Sequence, residues 1–313
     1  KTDCRCLPQR VFTGPRPVSG TTNRGCMIPT GRFAPSPTGD LHFGSLVAAV
    51  ASYLETKSRG GHWLVRVDDI DPPREVPGSA DRILLALQAF GMRSGRPVVF
   101  QSQRTNAYRT VLENLLDEGL AFPCGCTRSE LPPSGIYPGT CRNGLAPGKS
   151  PRAVRLAVSN KPVRFIDGIQ GEFSENLSET CGDFVIWRAD GLPAYQLAVV
   201  VDDSWQGVTE IIRGCDLLGS TARQIHVANC LGLESPRYAH HPVAATAGKH
   251  KLSKRLGSDP IENSPRSQTL ELALRFLGQD PPGGLPLDEL WIWAIDHWDI
   301  ERVPRKQRIE IVP

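Results

Sequence analysis

Two stretches far apart in the chain carry residue types suited to handling an anion. In the first, Gly31 to Ser45 (GRFAPSPTGDLHFGS), Gly39 and Gly44 flank His42. Glycines let an anion come close to the backbone, and Leu46, Val50, Tyr53 and Leu54 behind them recur at helical spacing, which would aim free N–H groups at that anion. With Gly60 and Gly61 as the stop, the stretch reads as strand, tight loop, helix. A plain turn with His42 as a helix cap would have the same composition. The second stretch, Lys251-Leu-Ser-Lys254-Arg255, offers cations that could neutralise charge building up on a phosphate. Read alone, it is better explained as a solvated basic loop.

Carboxylates at the ends of apolar runs form a third group. His62–Asp71 (HWLVRVDDID) ends in Asp68, Asp69 and Asp71 and is closed by Pro72 and Pro73, which predicts a buried parallel strand with its C-terminal end toward a ligand crevice. Strand capping alone would account for Asp69 and Asp71. Tyr195–Asp203 (YQLAVVVDD) reads as another buried strand capped by carboxylates, and Val208–Gly214 (VTEIIRG) as one more completing the sheet. A fourth group is Cys124, Cys126, Tyr137 and Cys141, in Gly- and Pro-rich sequence too poor in core-formers to hold itself together. A metal would supply what the core lacks. Three local cysteines are an odd number for disulfides and no His lies among them, so three unliganded buried thiols are the other reading. Cys181 stands apart and reads as a small buried hydrophobe.

The HxG loop and the late KLSK resemble the two signatures of class I aminoacyl-tRNA synthetases. FAPSPTGDLHFGS, LVRVDDIDPPR, YQLAVVVDD, EIIRGCDLL and KLSKR, in this order, resemble the glutamyl/glutaminyl branch, and within it the short paralogues that lack an anticodon-binding half. The similarity runs over about residues 28 to 300. It implies an α/β, Rossmann-like class I catalytic domain with an inserted zinc-containing α+β lobe and a short helical C-terminal segment.

The resemblance also assigns residues. Arg32, Phe33, Ala34, Pro35 and Ser36, with Asp68, Tyr195 and Arg213, would bind glutamate, and a guanidinium fork suits a carboxylate better than a lysine does. Pro35, Thr38, Gly39, His42, Gly44, Ser45, Asp216 and Lys254 would bind ATP with its Mg2+. His42, Lys251 and Lys254 would carry the catalytic charge stabilisation. Cys124, Cys126, Tyr137 and Cys141 match a C-x-C…Y-x3-C pattern that holds one structural Zn2+ with tyrosine as fourth ligand. One departure stands out: Asp68 occupies a position where the family usually has Glu, one methylene longer, for the amino group of the substrate. The implied reaction is attack of the glutamate carboxylate on the α-phosphate of ATP, followed by transfer from AMP to a hydroxyl. In the short paralogues that hydroxyl belongs to queuosine in the anticodon loop of tRNA(Asp). A discrete glutamyl-tRNA synthetase charging a tRNA 3′ end and a non-catalytic RNA-binding paralogue are the rival readings; retention of both signatures argues against the latter.

These residues need a scaffold, and the composition can provide one. A chain of 313 residues with 40% hydrophobic content can bury a full core. No apolar run approaches the roughly 18 residues of a membrane span and no secretory leader is visible, so the expectation is a cytoplasmic monomer with no membrane partner. Of the net charge of +3, residues 1–26 carry +4, so an RNA partner must meet a local basic patch. Residues 1–27, rich in Gly, Pro, Arg, Thr and Ser, read as a disordered leader ending at Met27.

Residues 28–118 form the first half of the catalytic domain, with helices over Ser79–Phe90 and Gln101–Gly119. Residues 119–190 would form the inserted lobe that the resemblance implies binds zinc, with short strands AVRLAV, VRFID and DFVIWR. Residues 191–257 form the second half with the KLSKR loop, and 258–313 a helical end with one helix over Thr269–Leu277 and core tryptophans Trp291, Trp293 and Trp298. That end is too short for an anticodon-reading module, which needs on the order of 100 residues for its own core.

Overall fold

The computed structural model describes residues 28–246 and 265–311. The expected leader over 1–27 and the Lys251–Arg255 loop lie outside the described residues.

In chain order, β1 (Thr30–Phe33) leads through the Pro/Gly loop into α1 (Phe43–Lys57), then β2 (His62–Val67), α2 (Ser79–Ala89), the short β3 (Val99–Phe100) and α3 (Thr105–Asp117). An inserted region follows: β4 (Ala121–Cys124), β5 (Ala153–Leu156), β6 (Val163–Asp167), β7 (Gly171–Glu175), α4 (Leu177–Thr180) and β8 (Phe184–Trp187). The chain returns through α5 (Tyr195–Gln206), β9 (Glu210–Gly214), α6 (Leu218–Cys230), β10 (Arg237–His241) and β11 (Val243–Thr246). It closes with α7 (Arg266–Phe276), α8 (Leu287–His297) and β12 (Arg308–Ile311).

Strands β10-β9-β1-β2-β3 make one parallel sheet. Parallel pairing needs a crossover element between strands, and α1, α2 and α6 are those elements. Helix α1 packs its buried Leu46, Val47, Val50 and Leu54 onto the sheet. Gly31 lets it come close, because an added Cβ there would collide with Thr56 Oγ1 of the helix. The first core includes α1 with α7 and α8, where Trp291 Nε1 donates to Phe90 O at 2.6 Å and Trp298 Nε1 to Glu55 Oε2 at 2.8 Å. Trp291 is therefore core, as its neighbours suggested, and Trp293 and Trp298 are partly buried against it.

A second core joins α3, α5 and α6 to the inserted region. There β4-β5-β8 form an antiparallel sheet and β6-β7 a hairpin. Strand β7, GEFSE, has too few apolar residues to announce itself in the sequence. Among the described residues, no helix is long and apolar enough to cross a membrane.

One expectation fails in this part of the chain. Tyr195–Asp203 is not a strand but the body of α5, ended by Gly207 in the left-handed region at φ 69°. Every residue from Gln196 to Asp203 is buried, so the helix shows no polar face, and an apolar run buried all round cannot be told from a buried strand by periodicity. Its Asp202 and Asp203 are then not strand-end carboxylates at a crevice but interior charges. Likewise the N-terminal turn of the helix expected from Gln101 is a 3-10 segment, Gln101–Arg104, before α3 begins.

Candidate functional site

The C-terminal ends of β1, β2 and β9 and the start of α1 open onto a cavity of about 690 Å³. This is the crevice end of a parallel sheet, where ligands sit in open α/β folds. The cavity brings together all the glutamate-pocket residues read from the sequence: Arg32 to Ser36, Asp68, Tyr195 and Arg213. It also collects Thr38, Gly39, His42, Gly44, Ser45 and Asp216 from the nucleotide set. Lys251 and Lys254 lie outside the described residues.

His42 is the N-cap of α1. Its Nδ1 accepts from the Ser45 N–H at 3.3 Å, which leaves the ring proton on Nε2, 3.0 Å from Ser45 Oγ. The plain capping reading and the ligand-facing one are thus both met, since the capped end opens on the cavity. The ring is solvent-accessible, yet the surrounding chain desolvates it enough to lower its pKa, so it stays neutral near pH 7. Gly39, at φ 159°, leaves open space where a Cβ would stand.

Arg32 lies on β1 rather than in the loop, and it is not a free cation. Its Nε and Nη2 each donate to a carboxylate oxygen of Asp203 on α5 at 3.2 Å. Arg66 Nη1 donates to the same Asp203 at 2.6 Å, and Arg66 Nε to Asp68 Oδ1 at 2.7 Å. Four buried charges therefore alternate, Arg32, Asp203, Arg66, Asp68, with the two ends lining the cavity. Burial alone would raise the Asp203 pKa, but the flanking guanidiniums outweigh it and hold it low. Asp68, at the end of the row, is pushed up to about 6 because burial outweighs the pull of Arg66. Arg66 was not singled out in the sequence, and Asp203 only as a strand-end carboxylate: their partnership spans 137 positions, and nothing local signals it. Arg213 is likewise gripped, with Nη1 toward Tyr195 Oη at 3.4 Å and Nη2 donating to Thr221 Oγ1 at 2.9 Å.

The cysteine segment forms a separate small cluster with Phe122 and Tyr137. The sulfurs of Cys124, Cys126 and Cys141 lie within 4.8 Å of one another. Tyr137 Oη is 3.5 Å from Cys124 Sγ and 3.8 Å from Cys126 Sγ, and the Cys126 and Cys141 sulfurs are 3.6 Å apart. Ligands at about 2.3 Å around a tetrahedral metal sit roughly 3.8 Å from each other, so this donor set fits one such ion. Arg155 Nε donates to Cys124 Sγ at 3.3 Å. Burial raises that thiol, yet hydrogen bonding with Tyr137 and Arg155 brings it down to about 7, which favours the thiolate a metal needs. Cys181 is outside the cluster and half-buried.

A nucleotide-type crevice on a parallel sheet, a capped HxG helix start and an inserted cysteine lobe define a class of protein. The family model of tRNA synthetases class I (E and Q), catalytic domain, matches residues 30–134 and 140–269, and the chain belongs to that family. Its relatives narrow the branch. A glutamyl-Q tRNA(Asp) synthetase of Dechloromonas aromatica is 50% identical over 291 residues, 89% of this chain and 97% of the relative. One of Chromobacterium violaceum is 51% identical over 282 residues, covering 88% and 95%. Among solved structures, a glutamate-tRNA synthetase from Elizabethkingia anophelis superposes with a TM-score of 0.75 at 26% identity, over 90% of this chain but 67% of that one.

Proposed function

We propose that this chain is a ligase that activates L-glutamate with ATP to glutamyl-adenylate, with no tRNA needed for that step, and transfers the glutamyl group to queuosine in the anticodon loop of tRNA(Asp). The observation that carries this reading is the coincidence of kinship and site. The residues of the glutamate pocket converge on one cavity, and relatives named for the queuosine reaction are 50% identical to the chain, against 26% for a glutamate-tRNA synthetase.

The chemistry needs no protein nucleophile. The glutamate carboxylate attacks the α-phosphorus of Mg2+-bound ATP and pyrophosphate leaves; a hydroxyl of the acceptor then displaces AMP. The protein positions and neutralises. Arg32 and Arg213 would meet the carboxylates of the substrate and Asp68 its ammonium. Gly39 and Gly44 would let phosphates reach the N-terminal N–H groups of α1, with His42 beside them as a neutral donor. Lys251 and Lys254 would screen charge on the departing pyrophosphate. Cys124, Cys126, Tyr137 and Cys141 would hold one zinc ion, which cross-links a segment poor in core residues.

The test uses labelled glutamate with tRNA(Asp) from cells able and unable to make queuosine. Label should enter only the queuosine-containing tRNA and stay after the 3′-terminal adenosine is removed. Label on queuosine-free tRNA(Glu) at its 3′ end would assign the chain to ordinary charging instead. Absence of glutamate-dependent ATP–pyrophosphate exchange would remove the enzymatic reading altogether.

A further inference from the structure

We propose that Asp167 and His240 are positioning residues for Arg213, setting through the tautomer of one imidazole the guanidinium that meets a substrate carboxylate; this rests on the role given to Arg213 above. The three side chains are all buried and lie in a row. Arg213 on β9 and His240 on β10 are register partners in the parallel sheet, and Asp167 ends β6 in the inserted hairpin. Arg213 Nε approaches His240 Nε2 at 2.9 Å. A guanidinium N–H can only donate, so His240 Nε2 must be a lone pair and the ring proton must sit on Nδ1. That proton points at Asp167 Oδ2, 2.5 Å away. The carboxylate thus selects the only neutral form of the ring that can accept from Arg213.

The hairpin holds this arrangement firmly. Asp167 Oδ1 accepts from the backbone N–H of Ile169, Gln170 and His240 at 3.1, 2.9 and 3.0 Å. Gln170 Nε2 donates to His240 O at 2.8 Å. Gly168 lies in the turn between them, where its N–H donates to Tyr238 O at 2.8 Å and an added Cβ would press on Ala239. With Nε given to His240 and Nη2 to Thr221 Oγ1, the Nη1 edge beside Tyr195 is left for a ligand in the cavity that Arg213 and Tyr195 line. A charged imidazole would instead set two cations face to face. Burial, and next to it the guanidinium, lower the His240 pKa against the pull of Asp167, so the ring remains neutral. The inserted region, in this arrangement, reaches the amino-acid pocket through two side chains.

The experiment combines imidazole 15N spectra with ATP–pyrophosphate exchange on the full chain. In the wild type, His240 should be protonated on Nδ1 and bare on Nε2. Asp167→Asn keeps an oxygen for the backbone donors but can turn its NH2 toward Nδ1, which moves the ring proton to Nε2 against Arg213. The glutamate KM should then rise roughly tenfold while the ATP KM holds. His240→Gln, whose carboxamide oxygen replaces Nε2 as acceptor, should make the glutamate KM insensitive to Asp167→Asn. A wild-type ring protonated on Nε2, or a folded Asp167→Asn with unchanged glutamate KM, overturns the proposal. The wild-type tautomer needs no variant and decides the matter if Asp167→Asn does not fold. Arg213→Lys separates the two readings: an unchanged glutamate KM there removes Arg213 from the pocket, whatever the tautomer of His240.

Discussion

Asp68 sets the strongest constraint at the scale of single residues, because it is an acid held in the interior with a pKa of about 6. Only its ionised form can hold an ammonium group. Protonation removes that acceptor, so glutamate binding should weaken as pH falls below about 6, with the glutamate KM rising toward roughly tenfold per unit on the acid side. Arg66 and Asp203 do not share this fate, since the Asp203 carboxylate is held low by two guanidiniums. Asp68→Asn should abolish the acid limb in ATP–pyrophosphate exchange and weaken glutamate binding at neutral pH by about 1–3 kcal/mol, the worth of one charged hydrogen bond. An acid limb unchanged in Asp68→Asn would assign it to another group. The shorter acid also bears on substrate choice: with Arg32, Tyr195 and Arg213 around one cavity, glutamate should remain preferred over aspartate in the same exchange assay. The ends of this row of charges were legible as motif residues at the ends of strands. The pairing at its middle, of Arg66 with Asp203, and that of Asp167 with His240 beside Arg213 were not, because each depends on a fold that brings together residues 137 and 73 positions apart.

Among elements, the loop from β1 into α1 was readable because its glycines, its prolines and the 3.6-residue period behind them each follow from local physics. Helix α5 was not, since burial on all sides erases the polar face that distinguishes a helix. The cysteine segment is an intermediate case: the ligand types were visible, but not the joint that ties them to the rest. One such joint, beside the Arg142–Asp183 ion pair, is the bridge between Tyr137 and Gly182, where Tyr137 N–H donates to Cys181 O at 3.0 Å and Gly182 takes φ 65°. A side chain at Gly182 would be strained by that φ and would drive a Cβ into the Tyr137 carbonyl. Gly182→Ala should therefore cost about 1–3 kcal/mol, observed as a lower melting temperature. Because the backbone displaced is that of Tyr137, the variant should also lose metal to a chelator faster than the wild type. Unchanged melting and metal retention would mean that the bridge does not anchor the lobe.

For the molecule as a whole, the division of its interior predicts how it should respond to metal removal. Two large cores pack the parallel sheet and its helices, one with α1, α7 and α8, the other with α3, α5, α6 and the β6-β7 hairpin. The cysteine cluster is a third and much smaller one, in which the buried residues are three of the candidate ligands, Cys124, Tyr137 and Cys141, plus Phe122, with Cys126 partly buried. A segment with so little to bury cannot offset its own chain entropy without a cross-link, whereas the other two cores do not include it. Purified protein should contain about one zinc per chain, and a strong chelator should remove it. Removal should loosen residues near Cys124–Cys141 while the tryptophans of the first core, Trp63 and Trp291, keep their folded fluorescence. The cavity proposed for the amino acid is lined from β1, β2, β9, α1 and the start of α5, and not from the cysteine segment, so ATP–pyrophosphate exchange with glutamate should fall less than twofold in the metal-free protein. Transfer to tRNA should fall by a factor of roughly ten or more if, as we propose, the inserted region is part of the surface that receives the nucleic acid. Absence of zinc from the purified protein, or a chelator that unfolds the whole chain in one transition, would show that the three cores are not separable in this way; equal loss of exchange and transfer would show that the cysteine lobe supports the amino-acid pocket directly.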